Sequence, residues 1–260
     1  MIQIDAIKTY YPEQFRDNAN FSKYILKEYL QLMILDYLST SPYVRKITFI
    51  GGTSIRLMKG IDRFSEDLDF DCKTFSHDEF TEMTNKVLQF LRHNGLNAEV
   101  KDKENPKLKA FRRNIHFPEL LFSLGLTGHR DERFLIKIES QDQLVSYNPE
   151  MVNIKGCGFF FPMPVPPASV LCAMKVSAML DRQKGRDFYD AMFLLSQTMP
   201  DFNFLSQRMG ISNLDALKKA AEIVIKNIDL KIKMRDFEHL LFYKNNSARI
   251  LHVAEFFRSL

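Results

Sequence analysis

The sequence predicts an α/β (α+β) lobe built on a mixed sheet, followed by an all-α lobe. Three observations predict it. In the first part of the chain, short runs rich in β-branched and aromatic residues alternate with helical patterns. The prolines Pro162, Pro164, Pro166 and Pro167 then make a stiff, extended segment that can continue neither a helix nor a central strand. Everything beyond them has helical periodicity. The lobes are therefore assigned as residues 1–165 and 166–260, with no internal repeat.

Residues 12–40 read as one helix, because Phe21, Ile25, Leu26, Leu32, Leu35 and Leu38 recur at helical spacing before Ser41-Pro42 stops it. Residues 44–50 read as a strand that runs into Gly51-Gly52. Thr53 is placed to open a short helix that Gly60 closes. Residues 67–71 alternate Asp with apolar residues, the period of a strand. An amphipathic helix follows over 77–93, then strands over 96–101, 110–117 and 133–139. Helices are expected over 168–183, 187–198, 202–209, 213–227 and 235–259.

Composition narrows the class. The 260 residues are 45% hydrophobic and 26% charged, ordinary for a globular chain. The 23 Phe residues supply buried area without polar atoms to satisfy. A net charge of +4 permits an anionic partner, yet is weaker than a dedicated DNA-binding domain carries. Cys72, Cys157 and Cys172 are odd in number and form no C-x-x-C pair, which argues against zinc and against a disulfide framework. Met1-Ile2-Gln3-Ile4-Asp5 does not begin a signal peptide, and no apolar run approaches the roughly 20 residues that span a bilayer. A soluble, cytoplasmic protein is expected.

Two features carry chemistry. At Ile47 to Arg56 a strand delivers the chain into two glycines and a helix starts at once. Glycines let backbone approach a bulky anion, and a helix N-terminus offers unpaired N–H groups and a positive dipole end. Thr53 and Ser54 add hydroxyls. A plain strand–turn–helix with no ligand has the same pattern. In Asp67-Leu68-Asp69-Phe70-Asp71, Leu68 and Phe70 should point into the core and the three Asp to the other face. Asp67 and Asp69 then lie roughly 7 Å apart and can converge on a cation, which offsets their repulsion. All-oxygen ligands favour magnesium or manganese over zinc. A solvated acidic edge is the alternative.

Further on, Lys175 sits in the apolar stretch 171–178, where a buried ammonium needs a partner. Arg182, seven residues on, shares its face. Arg186-Asp187-Phe188-Tyr189-Asp190 opens the next helix, with Asp187 placed to cap it or to pair with Lys175. A snorkelling lysine and a simple cap are the competing readings.

A Gly-Gly helix start followed by Asp-x-Asp on the next strand resembles the polymerase-β-like nucleotidyltransferases. Within them, Phe49-Ile50-Gly51-Gly52-Thr53-Ser54-Ile55-Arg56 and Arg63-Phe64-Ser65-Glu66-Asp67-Leu68-Asp69-Phe70 resemble the AbiEii/AbiGii-type nucleotidyltransferase toxin family. The Gly52-to-Asp67 spacing is slightly long for the wider superfamily but fits this group. Lys175 followed by the Arg-Asp-x-x-Asp element is similar to a second motif of that family.

The resemblance implies that Gly51, Gly52, Thr53, Ser54, Arg63, Ser65 and Arg182 bind the nucleotide, with Lys175 at the triphosphate. It implies Mg2+ (or Mn2+) on Asp67 and Asp69, and Asp187 positioning Lys175 or the acceptor. A third metal carboxylate is usual in the superfamily. Lys137 and Glu139 share a face of the later strand, making Glu139 the candidate, with an ordinary salt-bridged residue as the alternative. The expected reaction transfers NMP from an NTP to an acceptor hydroxyl, with the nucleotide in a cleft between the lobes. By resemblance the acceptor is RNA (a tRNA 3′ end), the biology that of a toxin–antitoxin or abortive-infection system, and a cognate antitoxin a partner.

Rival readings keep the fold but change the acceptor to a protein or a small molecule such as an aminoglycoside, or make it a catalytically silent binding module. The basic runs at residues 107–113 and around Lys231, Lys233 and Arg235 suit either a nucleic-acid backbone or a solvated face.

Overall fold

A computed structural model describes residues 2–102 and 110–260. Residues 107–109 of the first basic run lie outside them. The chain divides into two units. One comprises the described residues of Met1–Met58, Phe64–Gln143 and Glu150–Val165; the other comprises Lys59–Arg63, Leu144–Pro149 and Pro166–Leu260. The second unit thus takes two short segments from within the first 165 residues, which a single cut at 165/166 did not foresee.

In the first unit α1 (Ile4–Lys8) comes first, and the single helix expected over 12–40 is two, α2 (Glu13–Arg16) and α3 (Ala19–Ser39). The break comes at Asn18, whose side chain accepts from Asn20 N–H and restarts the helix as an N-cap. A 3₁₀ turn at Pro42–Arg45 leads into β1 (Ile47–Ile50), then α4 (Gly51–Lys59), β2 (Asp67–Cys72) and α5 (His77–His93). A reciprocal capping box between Ser76 and Glu79 fixes the start of α5. There follow β3 (Glu99–Val100), β4 (Phe111–His116), α6 (Leu120–Ser123) and β5 (Leu135–Ser140).

The five strands form one mixed sheet in the order β1-β2-β5-β4-β3, with β2 and β5 parallel and the other pairs antiparallel. Leu68, Phe70, Ile115, Ile136 and Ile138 are buried in its core. Helix α4 is held to α3 by a part-buried ion pair: Arg56 Nε donates to Glu28 Oε2 at 2.8 Å, and Tyr11 Oη donates to Glu28 Oε1 at 2.8 Å. Phe64, just before β2, is fully buried and packs on Tyr24 and Phe21, with ring centroids 5.5 Å away in each case. Burying one such ring contributes about 2–3 kcal/mol. Both ends of the segment between α4 and β2 are thereby anchored.

A separate hairpin, β6 (Glu150–Gly156) and β7 (Phe159–Val165), was not expected, because Pro162 and Pro164 were read as punctuation. The prolines sit two residues apart in β7, so their missing N–H groups fall on one edge, and among the described residues β7 pairs with β6 alone.

The second unit carries α7 (Ala168–Arg182), α8 (Gly185–Leu195), α9 (Phe202–Met209), α10 (Leu214–Lys226), α11 (Leu230–Arg235) and α12 (Val253–Ser259). The single helix expected over 235–259 is instead the end of α11, two 3₁₀ segments (Glu238–Leu240 and Lys244–His252) and α12. Asn246 explains part of the break: its side chain donates to Asp62 Oδ2 at 2.6 Å. Asp62 also accepts from Tyr189 Oη at 2.7 Å, and Arg63 bridges to Leu241. These bonds account for Lys59–Arg63 belonging with the helices.

Candidate active site

In the first unit the alternation of β2 survives at its start. Leu68 and Phe70 are buried, while Asp67 and Asp69 keep partial exposure on the other face. Asp71 was expected beside them, but it is 2% exposed and accepts from Gln143 N–H at 2.9 Å, so it secures the loop after β5. Register sets Asp67 beside Lys137 and Asp69 beside Glu139 on the parallel neighbour; Asn114 and Arg112 continue the two rows on β4. Lys137 Nζ donates to Asp67 Oδ2 at 2.9 Å and lies 3.7 Å from Glu139 Oε1. Arg112 Nε donates to the same Glu139 oxygen at 2.6 Å.

Ile50 stands opposite Asp69, which carries the chain into Gly51 directly against that carboxylate. Gly51 has φ +81°, and a Cβ there would lie 2.1 Å from Asp69 Oδ2 and 2.7 Å from Asp69 Cβ. Two requirements therefore meet at this glycine: a left-handed backbone and room for Asp69. Helix α4 starts at Gly51 itself, two residues earlier than expected.

The two hydroxyls assigned to phosphate are engaged internally. Thr53 is fully buried, and its Oγ1 donates to the Asp67 carbonyl. Ser54 Oγ, also buried, donates to Gly51 O at 3.0 Å. They fasten the start of α4 to β2 and to itself. Ser65 is 8% exposed, and its carbonyl accepts from Gln31 Nε2 at 3.2 Å.

In the second unit the partners differ from those expected. Lys175 is buried and pairs with Asp190 at 2.9 Å, not with Asp187. Arg63, expected at the nucleotide, is 1% exposed and holds both oxygens of Asp190 in a fork, at 2.7 Å each. Burial pushes the Asp190 carboxyl up, but the Arg63 and Lys175 charges outweigh it and bring it to about 2. Asp190 is the residue that sequence reasoning left out. The signal was present, since Asp187 and Asp190 stand three apart on one helix face.

Asp187 is not a cap. Helix α8 begins at Gly185, two residues earlier than expected, and its first N–H is donated to Asp236 Oδ2 at 2.9 Å. Arg182 NH2 donates to Asp187 Oδ1 at 2.6 Å, while Oδ2 is fully buried without a hydrogen-bond partner among the described residues. A buried carboxylate oxygen without a donor is costly, so this one calls for a partner such as a water, a ligand or a proton.

Two carboxylates on one strand face, with bare glycine backbone against one of them, make an all-oxygen donor set that fits Mg2+ or Mn2+. Among the described residues no group of three or more His, Cys, Asp and Glu side chains converges, and Glu139 is turned to Arg112. The three cysteines are free thiols, and burial pushes Cys172 up to about 12. No helix among the described residues is long and apolar enough to cross a membrane.

A mixed sheet with Asp-x-Asp on β2 beside a glycine helix start defines a nucleotidyltransferase, the class to which this chain belongs. Residues 33–239 match the model of the nucleotidyl transferase AbiEii toxin family of type IV toxin–antitoxin systems, and the chain is a member of that family. Among solved structures it is similar to MenT4, a nucleotidyltransferase toxin from Mycobacterium tuberculosis H37Rv. That match has a TM-score of 0.65 at 17% identity and covers 100% of this chain and 91% of the other. It is also similar to JHP933 from Helicobacter pylori, with a TM-score of 0.55 at 19% identity over 91% of this chain and 90% of the other. At these identities the likeness speaks for the fold. No curated protein matches by sequence.

Proposed function

We propose that this family member is a magnesium-dependent toxin that transfers NMP from an NTP to a hydroxyl of RNA, with a tRNA 3′ end as acceptor. The observation that carries the reading is Asp69 set against Gly51, with Asp67 two residues earlier on the same face. Asp67 and Asp69 would hold the metal, which supplies Lewis-acid polarisation of the α-phosphate and neutralises negative charge. Gly51 and Gly52 give the phosphates close access to backbone N–H groups at the start of α4. Thr53 and Ser54 keep that turn in place through their internal bonds.

From the family resemblance, Lys175 meets the triphosphate, with Asp190 orienting its ammonium. By the same resemblance Asp187, whose Oδ2 has no hydrogen-bond partner among the described residues, positions the acceptor. Arg182 and Arg63 act through Asp187 and Asp190 respectively. A cytoplasmic setting and a cognate antitoxin go with this reading.

The test is transfer from each of four α-labelled NTPs, with Mg2+, into total RNA and protein, with Asp69→Asn alongside. Label in RNA that vanishes in the variant is expected. Label in protein alone would give the acceptor role to protein, and label unaffected by Asp69→Asn would refute the assignment of the metal site.

A further inference from the structure

At one of the two proposed metal ligands a side chain of the protein stands where the ion would bind. Asp67 already has a cation: Lys137, its register neighbour on β5, donates to Oδ2 at 2.9 Å. The same ammonium lies 3.7 Å from Glu139, which Arg112 holds independently at 2.6 Å. Lys137 thus stands between two carboxylates, on the sheet face where a divalent ion bound by Asp67 would sit.

The chemistry of this pair contrasts with the Arg63–Asp190 fork. A fork offers two parallel bonds from a rigid plane, and that one is sealed from solvent. Lys137 offers a single point charge on a flexible stem. Its side chain is 27% exposed and that of Asp67 22%, so water can replace either partner as the pair opens. Such a pair holds a carboxylate without locking it.

We infer that Lys137 is the resident counter-cation of Asp67. It neutralises and orients the carboxylate in the metal-free protein, and an incoming divalent ion must displace it. Lys137 therefore sets the affinity of the site for metal, lowering it for metal alone. Once displaced, the ammonium is free to meet the phosphates that arrive with the metal, which makes metal binding depend on the nucleotide. The inference rests on the reading of Asp67 and Asp69 as metal ligands.

The test is titration of the intact protein with Mn2+ alone, following free Mn2+ by its electron paramagnetic resonance signal. Lys137→Met keeps the stem and removes the charge. It should bind Mn2+ roughly tenfold tighter than the parent, the size of one charge-assisted hydrogen bond at a part-exposed site. Lys137→Arg, which keeps the charge, should stay as weak as the parent. Without metal, Lys137→Met should melt lower than the parent, and saturating Mn2+ should close that gap. Lys137→Gln replaces the Met variant if the latter does not fold, with the same expected direction. Unchanged or weaker Mn2+ binding by Lys137→Met, while Asp69→Asn abolishes binding, would overturn the inference and leave the metal reading standing. Equal tightening by Met and Arg would also overturn it, since charge would not be the cause. Mn2+ binding by none of the proteins would bring down the metal reading and the inference with it.

Discussion

Gly51→Ala isolates the contact on which the site depends. Gly51 and Gly60 stand near opposite ends of α4, and both have positive φ, +81° and +69°. An alanine at either position pays the left-handed backbone strain, about 1 kcal/mol, partly offset by a less flexible unfolded chain. The surroundings differ. Around a Cβ at Gly60 there is nothing within 4 Å, whereas at Gly51 it would meet Asp69 Oδ2 at 2.1 Å, Cβ at 2.7 Å and Cγ at 2.8 Å. Rotation of the Asp69 carboxylate can relieve the first of these, but the Cβ contact requires movement of backbone. Overpacking of that kind costs a further 1–3 kcal/mol, roughly. At roughly 2–4 °C per kcal/mol for a chain of this size, Gly51→Ala should melt about 5–12 °C lower and Gly60→Ala only a few degrees lower. The functional gap should be wider, because displacing a catalytic carboxylate by about 1 Å costs roughly a hundredfold in rate. Differential scanning fluorimetry and the α-labelled NTP assay read the two effects. Transfer by Gly51→Ala at the rate of Gly60→Ala would refute the claim that the glycine exists to seat Asp69.

Asp190→Asn should destabilise the protein by roughly 3–5 kcal/mol in urea unfolding, since it leaves Arg63 and Lys175 buried beside a neutral partner. The Asp190 carboxyl is depressed from 3.8 to about 2, so its stabilisation, on the order of 2 kcal/mol, is complete above pH ~4 and is lost as pH falls through about 2. The stability gap between parent and Asp190→Asn should therefore narrow on acidification between those values, and a gap that stays constant would contradict the pairing. Thr53→Val removes the hydroxyl that bonds the Asp67 carbonyl and should cost about 1 kcal/mol while leaving KM for the NTP unchanged. A large rise in KM would mean that the hydroxyl leaves Asp67 for the phosphates.

What could be read from the sequence followed from periodicity. Asp-Leu-Asp-Phe on β2 and the apolar alternation of β5 gave strand faces directly, and Gly51-Gly52 gave the turn, because each is a local pattern with one physical cause. Side-chain partners were not legible, since they depend on register between distant segments. Thr53 and Ser54 look the same in sequence whether they face a phosphate or a carbonyl. Arg63 looks like a surface cation until a carboxylate 127 residues away, Asp190, is brought to it. The β6–β7 hairpin was hidden because prolines at alternate positions read as a break unless it is known that one edge of the strand is unpaired. The C-terminal helix was overextended because its apolar spacing persists through Asn245 and Asn246, where Asp62 draws a side chain away from the helix.

Four of the carboxylates discussed above share one arrangement that spacing could not disclose, a cation in place. Asp67 has Lys137, Glu139 has Arg112, Asp187 has Arg182, and Asp190 has Arg63 and Lys175. Burying or clustering such acids without partners would cost several kcal/mol each or drive them to take up protons. The partners differ in how readily they let go. The Arg63 fork on Asp190 is closed to water and suits a permanent scaffold. Lys137 on Asp67 and Arg182 on Asp187 each involve a part-exposed cation and one hydrogen bond, 2.9 Å and 2.6 Å long. Asp67 is one of the two acids proposed to hold the metal, and Asp187 is proposed to position the acceptor. On the proposed reading the same contrast separates scaffold residues from residues that exchange partners, so substitutions at Arg63 should act on stability and those at Lys137 and Arg182 on ligand binding and rate.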